Sequence, residues 1–300
     1  MRDANEVGQV NRRSFIKFCL IGFISIFHPL GDLFCFPLYL PLFSSQISNP
    51  GVNLKPLPSI GDTFVGEELH YNLGFWLFKN AARGRLTIQK AHVENRYVAT
   101  FVGQTQGFIG FLTGNRKYTL VSTMEVIEDG KRFRTLRFEQ HITSKKKNRV
   151  KIYTFDHKIG RIIVTSREKS GNWKREEINI TPNQTCDDPI TSFYNFRFGV
   201  YGKVTSGKSF KIPCIPKKGR SYISIHIASV QIGKDRQIQE KNPSGKEYFV
   251  TMILHKEFTL SKTGKVEGWL SKELIPITGK VKDVILLGDV YGTLVQRIIN

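Results

Sequence analysis

The chain has 300 residues, of which 40% are hydrophobic, 12% aromatic and 23% charged. That length and balance exclude a minimal domain and global disorder, and the wealth of Phe and Tyr favours strands over a coiled coil. Lys and Arg number 45 against 25 Asp and Glu, a formal charge of +20, which implies either an anionic partner or a solvated basic surface. Residues 1–46 hold four basic and three acidic groups, so the rest carries 41 − 22, or +19. The positive charge belongs to the body of the chain.

The N-terminal stretch reads differently from that body. Asn11-Arg12-Arg13-Ser14-Phe15-Ile16-Lys17 precedes the apolar run Phe18–Phe27. Cations that stay on the cytoplasmic side and an apolar run that enters the bilayer are the physical design of an export signal. Arg12, Arg13, Phe15 and Lys17 resemble the twin-arginine export motif, with Asn11 where Ser or Thr is usual. That resemblance implies folding before export. Pro29 and Asp32 interrupt the apolar stretch, which resumes at Leu33 and ends at Phe43, and no small-x-small cleavage site precedes Ser44-Ser45. Residues 1–43 are therefore expected to be an export signal or an uncleaved anchor, with membrane association through residues 18–43. The expected location is the periplasm or cell envelope. Neither Cys19 nor Cys35 follows the small residue that a lipoprotein signal needs. Residues 44–60, with Ser44, Ser45, Pro50, Gly51, Pro56 and Pro58, read as a linker.

Residues 61–300 read as a single β-rich domain. Tyr222-Ile223-Ser224-Ile225-His226-Ile227 places three isoleucines on one face of a strand and the polar residues on the other. Leu86-Thr87-Ile88 and Val150-Lys151-Ile152 alternate likewise. Turn signals separate such runs, at Gly114-Asn115, Asp129-Gly130, Ser170-Gly171-Asn172, Ser244-Gly245 and Thr263-Gly264. Asp129-Gly130 predicts a hairpin joining 123–127 to 133–138. Gly107-Phe108-Ile109-Gly110 is apolar throughout and reads as a bend beside a core strand. One short helix is expected near 188–198. Asp188 offers an N-cap, Pro189 the first helical position, and Gly199 a stop. The expected fold is all-β, a mainly antiparallel barrel or sandwich.

Chemistry-bearing patterns are sparse. The seven histidines lack metal-ligand spacing, and there is no Cys-x-x-Cys, Gly-x-Ser-x-Gly or phosphate-binding glycine loop. The pairs Glu67-Glu68 and Glu176-Glu177 are adjacent, so on strands they point to opposite faces and form no acid/base dyad. No metal, no cofactor and no enzymatic activity are expected. Cys186 and Cys214 are the two cysteines outside the leader; in an exported domain they are free to pair, or else are two buried thiols. Basic clusters occur at Lys131-Arg132 with Arg134 and Arg137, at Lys145-Lys146-Lys147, and at Lys217-Lys218 with Arg220. A solvated hairpin tip accounts for the lysine triplet, and export leaves no nucleic acid to bind.

Three local patterns together resemble the bacterial envelope family called domain of unknown function 3108. The first is Gly66-Glu67-Glu68-Leu69-His70-Tyr71-Asn72. The second is Asp188-Pro189-Ile190-Thr191-Ser192-Phe193-Tyr194 with Arg197. The third is Gly268-Trp269-Leu270-Ser271-Lys272-Glu273 followed by Ile275-Pro276, and Gly292–Val295 resembles the last strand. The resemblance spans about residues 61–300. It implies an exported, mostly β protein without established activity. Physically the motif residues look structural, with Tyr71 on a strand, Asp188 a cap and Trp269 a core anchor. Arg197 shares a helix face with Phe193 and Tyr194, so its burial would demand an acidic partner.

Three functions are compatible with these features. One is a non-catalytic carrier of a lipid-like or anionic amphiphilic ligand, with an apolar groove for the tail. Another is a structural scaffold of the envelope that touches glycan or protein. The weakest is an envelope hydrolase with a dispersed site. An open apolar cavity would favour the first and a filled core the second.

Overall fold

The computed structural model describes residues 58–300, apart from 76–77, 146, 169–170, 183–184, 218–219, 241–244, 254–262, 264 and 285–287. The leader with Arg12, Arg13, Phe15 and Lys17, and the linker up to residue 57, lie outside the described residues.

Fourteen strands build one sheet. They are β1 (Glu67–Phe75), β2 (Phe78–Lys90), β3 (Arg96–Thr105), β4 (Lys117–Ile127), β5 (Arg132–Ser144), β6 (Lys147–Asp156) and β7 (Arg161–Glu168). The second series is β8 (Lys174–Asn179), β9 (Ser209–Lys217), β10 (Arg220–Ile227), β11 (Tyr248–Ile253), β12 (Lys265–Leu270), β13 (Pro276–Val284) and β14 (Gly288–Ile299). The order runs from β8 down to β1, then from β14 down to β9, and every neighbouring pair is antiparallel. The first and last strands thus pair at the middle of the sheet, with Glu67 opposite Ile299. Gly66 makes that join possible. Its φ is +83°, and a Cβ there would collide with the Asn300 carbonyl oxygen.

The sheet curls into a nearly closed barrel whose edges are β8 and β9. The segment after β8 fills the seam: Asp187 pairs with Cys214 of β9, and the Ile215 amide donates to the Asp187 carbonyl at 3.1 Å. Covering an edge in this way removes unpaired backbone groups that would template aggregation.

Alternation and turn chemistry account for much of this. Ile223, Ile225 and Ile227 are all buried on one face, while Ser224 and His226 look outward. The hairpin between β4 and β5 turns through Glu128, Asp129 and Gly130, three consecutive residues with positive φ.

Helices are more numerous than the sequence suggested. They are α1 (Ile60–Phe64), α2 (Gly107–Thr113), α3 (Pro189–Phe198) and α4 (Val230–Glu240). The run Gly107–Gly110 is therefore helical and not a bend. Ile109 points inward while Phe108 and Phe111 are exposed, and Gly114 at φ +69° ends the helix. The predicted linker also stops short, because Ser59 caps α1 and Ile60 is fully buried.

Helix α3 starts and stops where expected. Asp188 Oδ1 accepts from the amides of Ile190 at 2.7 Å and Thr191 at 3.3 Å, and Gly199 closes the helix at φ +89°. What sets α3 apart is burial on every side, including Thr191, Ser192, Asn195 and Arg197. A helix buried all round is an interior helix. It runs inside the barrel and divides the core into two clusters. One cluster carries Tyr97, Phe133, Phe138, Tyr153, Phe155 and Tyr194; the other is mostly aliphatic and is built by β9–β14, with Phe196 of α3 and Ile109 of α2.

Candidate functional site

Two features of the interior could carry function: a polar network around α3 and an apolar cavity beside it.

The polar network ties α3 to β4 and β5. Asp187 accepts from Arg132 Nη2 at 2.8 Å, from the Thr135 amide at 3.0 Å and from Asn195 Nδ2 at 3.3 Å. Asp188 Oδ2 accepts from Ser122 at 2.6 Å, Thr135 at 2.8 Å and Thr191 at 2.6 Å. Asn195 holds both the amide and the carbonyl of Phe133, at 2.9 and 2.8 Å. His157 Nε2 meets the Thr135 carbonyl at 2.6 Å. Burial pushes the carboxyl pKa of both aspartates up. Arg132 opposes that at Asp187, as Ser122, Thr191 and Thr135 do at Asp188. The side-chain oxygens of both aspartates are taken up by protein donors, as a structural network requires. Sequence reasoning missed Ser122, Arg132, Thr135 and Asn195. Ser122, Arg132 and Thr135 lie more than fifty residues from the aspartates they bind, so their only signal is spatial, and Asn195 shows its role only once α3 is known to be buried on every side.

The motif residues converge at the other end of α3. Arg197 donates to both Glu67 oxygens, at 2.5 and 2.9 Å, and Arg297 adds a bond at 3.0 Å. The acidic partner that a buried Arg197 demanded is thus Glu67 of the first motif. Tyr71 lies on β1 and Tyr194 is fully buried against Phe64 and Phe133. Ser192 reaches toward the Pro213 carbonyl at 3.5 Å. In the third motif Trp269 is buried against Phe249, and Ser271 Oγ accepts from the amides of Glu273 and Ile275 before Pro276 opens β13. All three motifs are staples of the barrel.

Cys186 and Cys214, read from the sequence as a disulfide or as two buried thiols, are both buried and unbonded in the structure. They lie near each other, since Asp187 bridges to Cys214 and both cysteines line the same surface pocket, and burial raises both thiol pKa values. The basic cluster of β5 is also not a free surface. Arg132 pairs with Asp187, Arg134 with Glu125 at 2.6 Å and Arg137 with Glu139 at 2.8 Å. Lys146 and Lys218 lie outside the described residues. Among the described residues no group of three or more His, Cys, Asp or Glu side chains is placed to hold a metal.

The cavity lies between α3 and the inner wall formed by β9–β14 with β1 and β2. Its volume is about 140 Å³. Ile212, Ile223, Ile225, Val266, Val281 and Val290 supply aliphatic wall, and Ile190, Phe193 and Phe196 of α3 close it. Three glycines, Gly268, Gly279 and Gly292, stand directly opposite one another on β12, β13 and β14 and line it without side chains. A dry cavity of roughly 150 Å³ lined by such residues accepts a benzene-sized guest. The space therefore suits one small apolar group or the end of an alkyl chain, not a whole lipid.

Residues 68–294 match the family described as protein of unknown function (DUF3108). The chain belongs to the DUF3108 family. No curated protein matches it. Among solved structures, a DUF1089 family protein from Pseudomonas aeruginosa is similar over 68% of this chain and 91% of that one. The two are 10% identical with a TM-score of 0.30, a likeness that carries no argument. Membership fits the placement of the three motifs: the matched span takes in Tyr71, Asp188, Arg197, Trp269 and Pro276.

Proposed function

We propose that this DUF3108 protein is a non-catalytic binding module of the cell envelope that takes the apolar end of a lipid-like or anionic amphiphile between α3 and β9–β14. The observation that carries this reading is the aliphatic cavity beside a helix that is otherwise packed on all sides. The glycine row leaves that stretch of the wall without side chains, and at Gly268 a Cβ would collide with the Thr278 carbonyl oxygen, so glycine there also lets β12 and β13 lie close. Each methylene transferred into such a space contributes about 0.8 kcal/mol, so a short chain suffices for measurable binding. The polar network argues for a second, purely structural role, because its aspartates are fully engaged with protein donors.

Titration calorimetry with 1-octanol tests the cavity. Wild type is expected to bind it, and Val266→Phe, which fills the space, is expected to lose binding while staying folded. Equal binding by both proteins would move the ligand elsewhere, and no binding by either would leave the scaffold role. Envelope location is supported by Arg12, Arg13, Phe15 and Lys17 ahead of an apolar run. Fractionation is expected to find wild type in the envelope and the Arg12→Lys, Arg13→Lys protein retained inside the cell. Wild type free in the cytoplasm would end the envelope assignment.

A further inference from the structure

Arg116 follows α2 and precedes β4. It is 7% exposed, and its Nε and Nη1 are buried with no hydrogen-bond partner. Its side chain makes no ion pair among the described residues. The other buried arginines differ: Arg132 has Asp187 and Arg197 has Glu67. A guanidinium cannot shed its charge in a protein, and an uncompensated buried charge is strongly unfavourable. The fold keeps a planar donor fork where nothing in the described chain receives it.

The position of Arg116 gives that fork a purpose. Along β4 it has the same parity as Tyr118, whose side chain lies in the core, so Arg116 points to the barrel interior. The Thr105 amide donates to its carbonyl at 3.0 Å, which extends a row of inward residues through Ala82 and Leu73 to Gly292. Leu73 and Gly292 line the cavity. Leu73 and Arg116 are three strands apart, about 14 Å at the backbone, a gap that the arginine stem and a short alkyl chain span together. Helix α2 leads directly into Arg116, and its Ile109 packs into the cavity-side cluster.

We propose that Arg116 receives an oxyanion head group, a carboxylate or phosphate, of the amphiphile whose apolar end occupies the cavity. The tail placement rests on the proposed function, whereas the anion site stands on Arg116 itself. Arginine presents paired donors that match either oxyanion. The ligand's charge would supply the counter-ion that the chain withholds.

Calorimetry on the full chain with octyl phosphate, 1-octanol and inorganic phosphate tests this. Wild type should bind octyl phosphate tenfold to a hundredfold more tightly than octanol, roughly the range for hydrogen bonds to charged groups. Arg116→Gln should erase that preference and leave octanol binding unchanged. Without ligand, Arg116→Met should melt no lower than wild type, because no protein partner is orphaned. Undiminished octyl phosphate binding by Arg116→Gln would overturn the proposal, as would a clearly lower melting temperature for Arg116→Met. Inorganic phosphate bound as tightly as octyl phosphate, and dependent on Arg116, would overturn the head-group assignment in favour of a free anion. If octanol fails while octyl phosphate binds through Arg116, the anion site holds and the cavity reading falls. If octanol binds and Arg116→Gln changes nothing, the reverse is true.

Discussion

Helix α3 separates two interiors built from the same sheet. Toward β4–β8 the space is filled by interlocking rings: Tyr97 on Phe133 at 5.3 Å, Phe138 on Tyr153 at 5.9 Å, and Phe155 on His157 at 5.5 Å. Toward β9–β14 the wall is valine and isoleucine, with glycine at three successive cross-strand positions, and about 140 Å³ stays open. Both sides bury apolar surface, so hydrophobicity does not distinguish them. Side-chain volume opposite α3 does. On the filled side aromatic rings reach the helix from the sheet; on the other side Phe210 meets Phe196 at 5.4 Å, and around the cavity short branched side chains stop before the helix. The buried cations differ as well: Arg132 of β5 is buried with Asp187, while Arg116, just before β4, is buried with nothing among the described residues.

The two arginines give the largest test of this division. Arg132→Met should strip Asp187 of its counter-charge and lose the ring contact with Tyr201 at 5.7 Å. Breaking a buried pair costs about 3–5 kcal/mol, and chemical denaturation should read a loss of that order. Arg116→Met removes the same group from an equally buried place and should cost nothing of that kind. Equal losses would mean that Arg116 has a structural partner, and the contrast between the two arginines would fail.

Parts of this division were legible in the sequence. Alternation in residues 222–227 assigned the isoleucines to one face, Asp129-Gly130 marked its hairpin, and Asp188-Pro189 marked the start of α3. Each is a local property, set by period, by left-handed turn residues or by a cap. Gly107–Gly110 failed as a bend because a run of Gly, Phe, Ile and Gly has no polar face to reveal a period. The twist that pairs Gly268, Gly279 and Gly292 cannot be seen along the chain, since register depends on bulges such as the one after Trp269. Arg116 was one cation in a chain with 45. Its parity with Tyr118 was the available signal, and it matters only once β4 is known to face inward at that end.

A smaller effect tests the packing half of the contrast with one substitution made twice. Val164 of β7 is 1% exposed within the ring-filled cluster, and Val266 of β12 is 3% exposed on the cavity wall. By burial alone the two valines are interchangeable. Valine to phenylalanine adds the same volume at both. At Val164 it must displace rings already in contact, and overpacking of that kind costs about 1–3 kcal/mol. At Val266 the added ring enters open space, gains dispersion contacts with Phe196 and Ile225 across the gap, and should cost less than about 1 kcal/mol or stabilise. Val164→Phe should therefore melt several degrees below wild type and Val266→Phe near or above it. A Val266→Phe protein as unstable as Val164→Phe would mean that the wall closes on α3 in solution. The glycine row would then serve close approach of β12–β14 to the helix, and no space would remain for a guest.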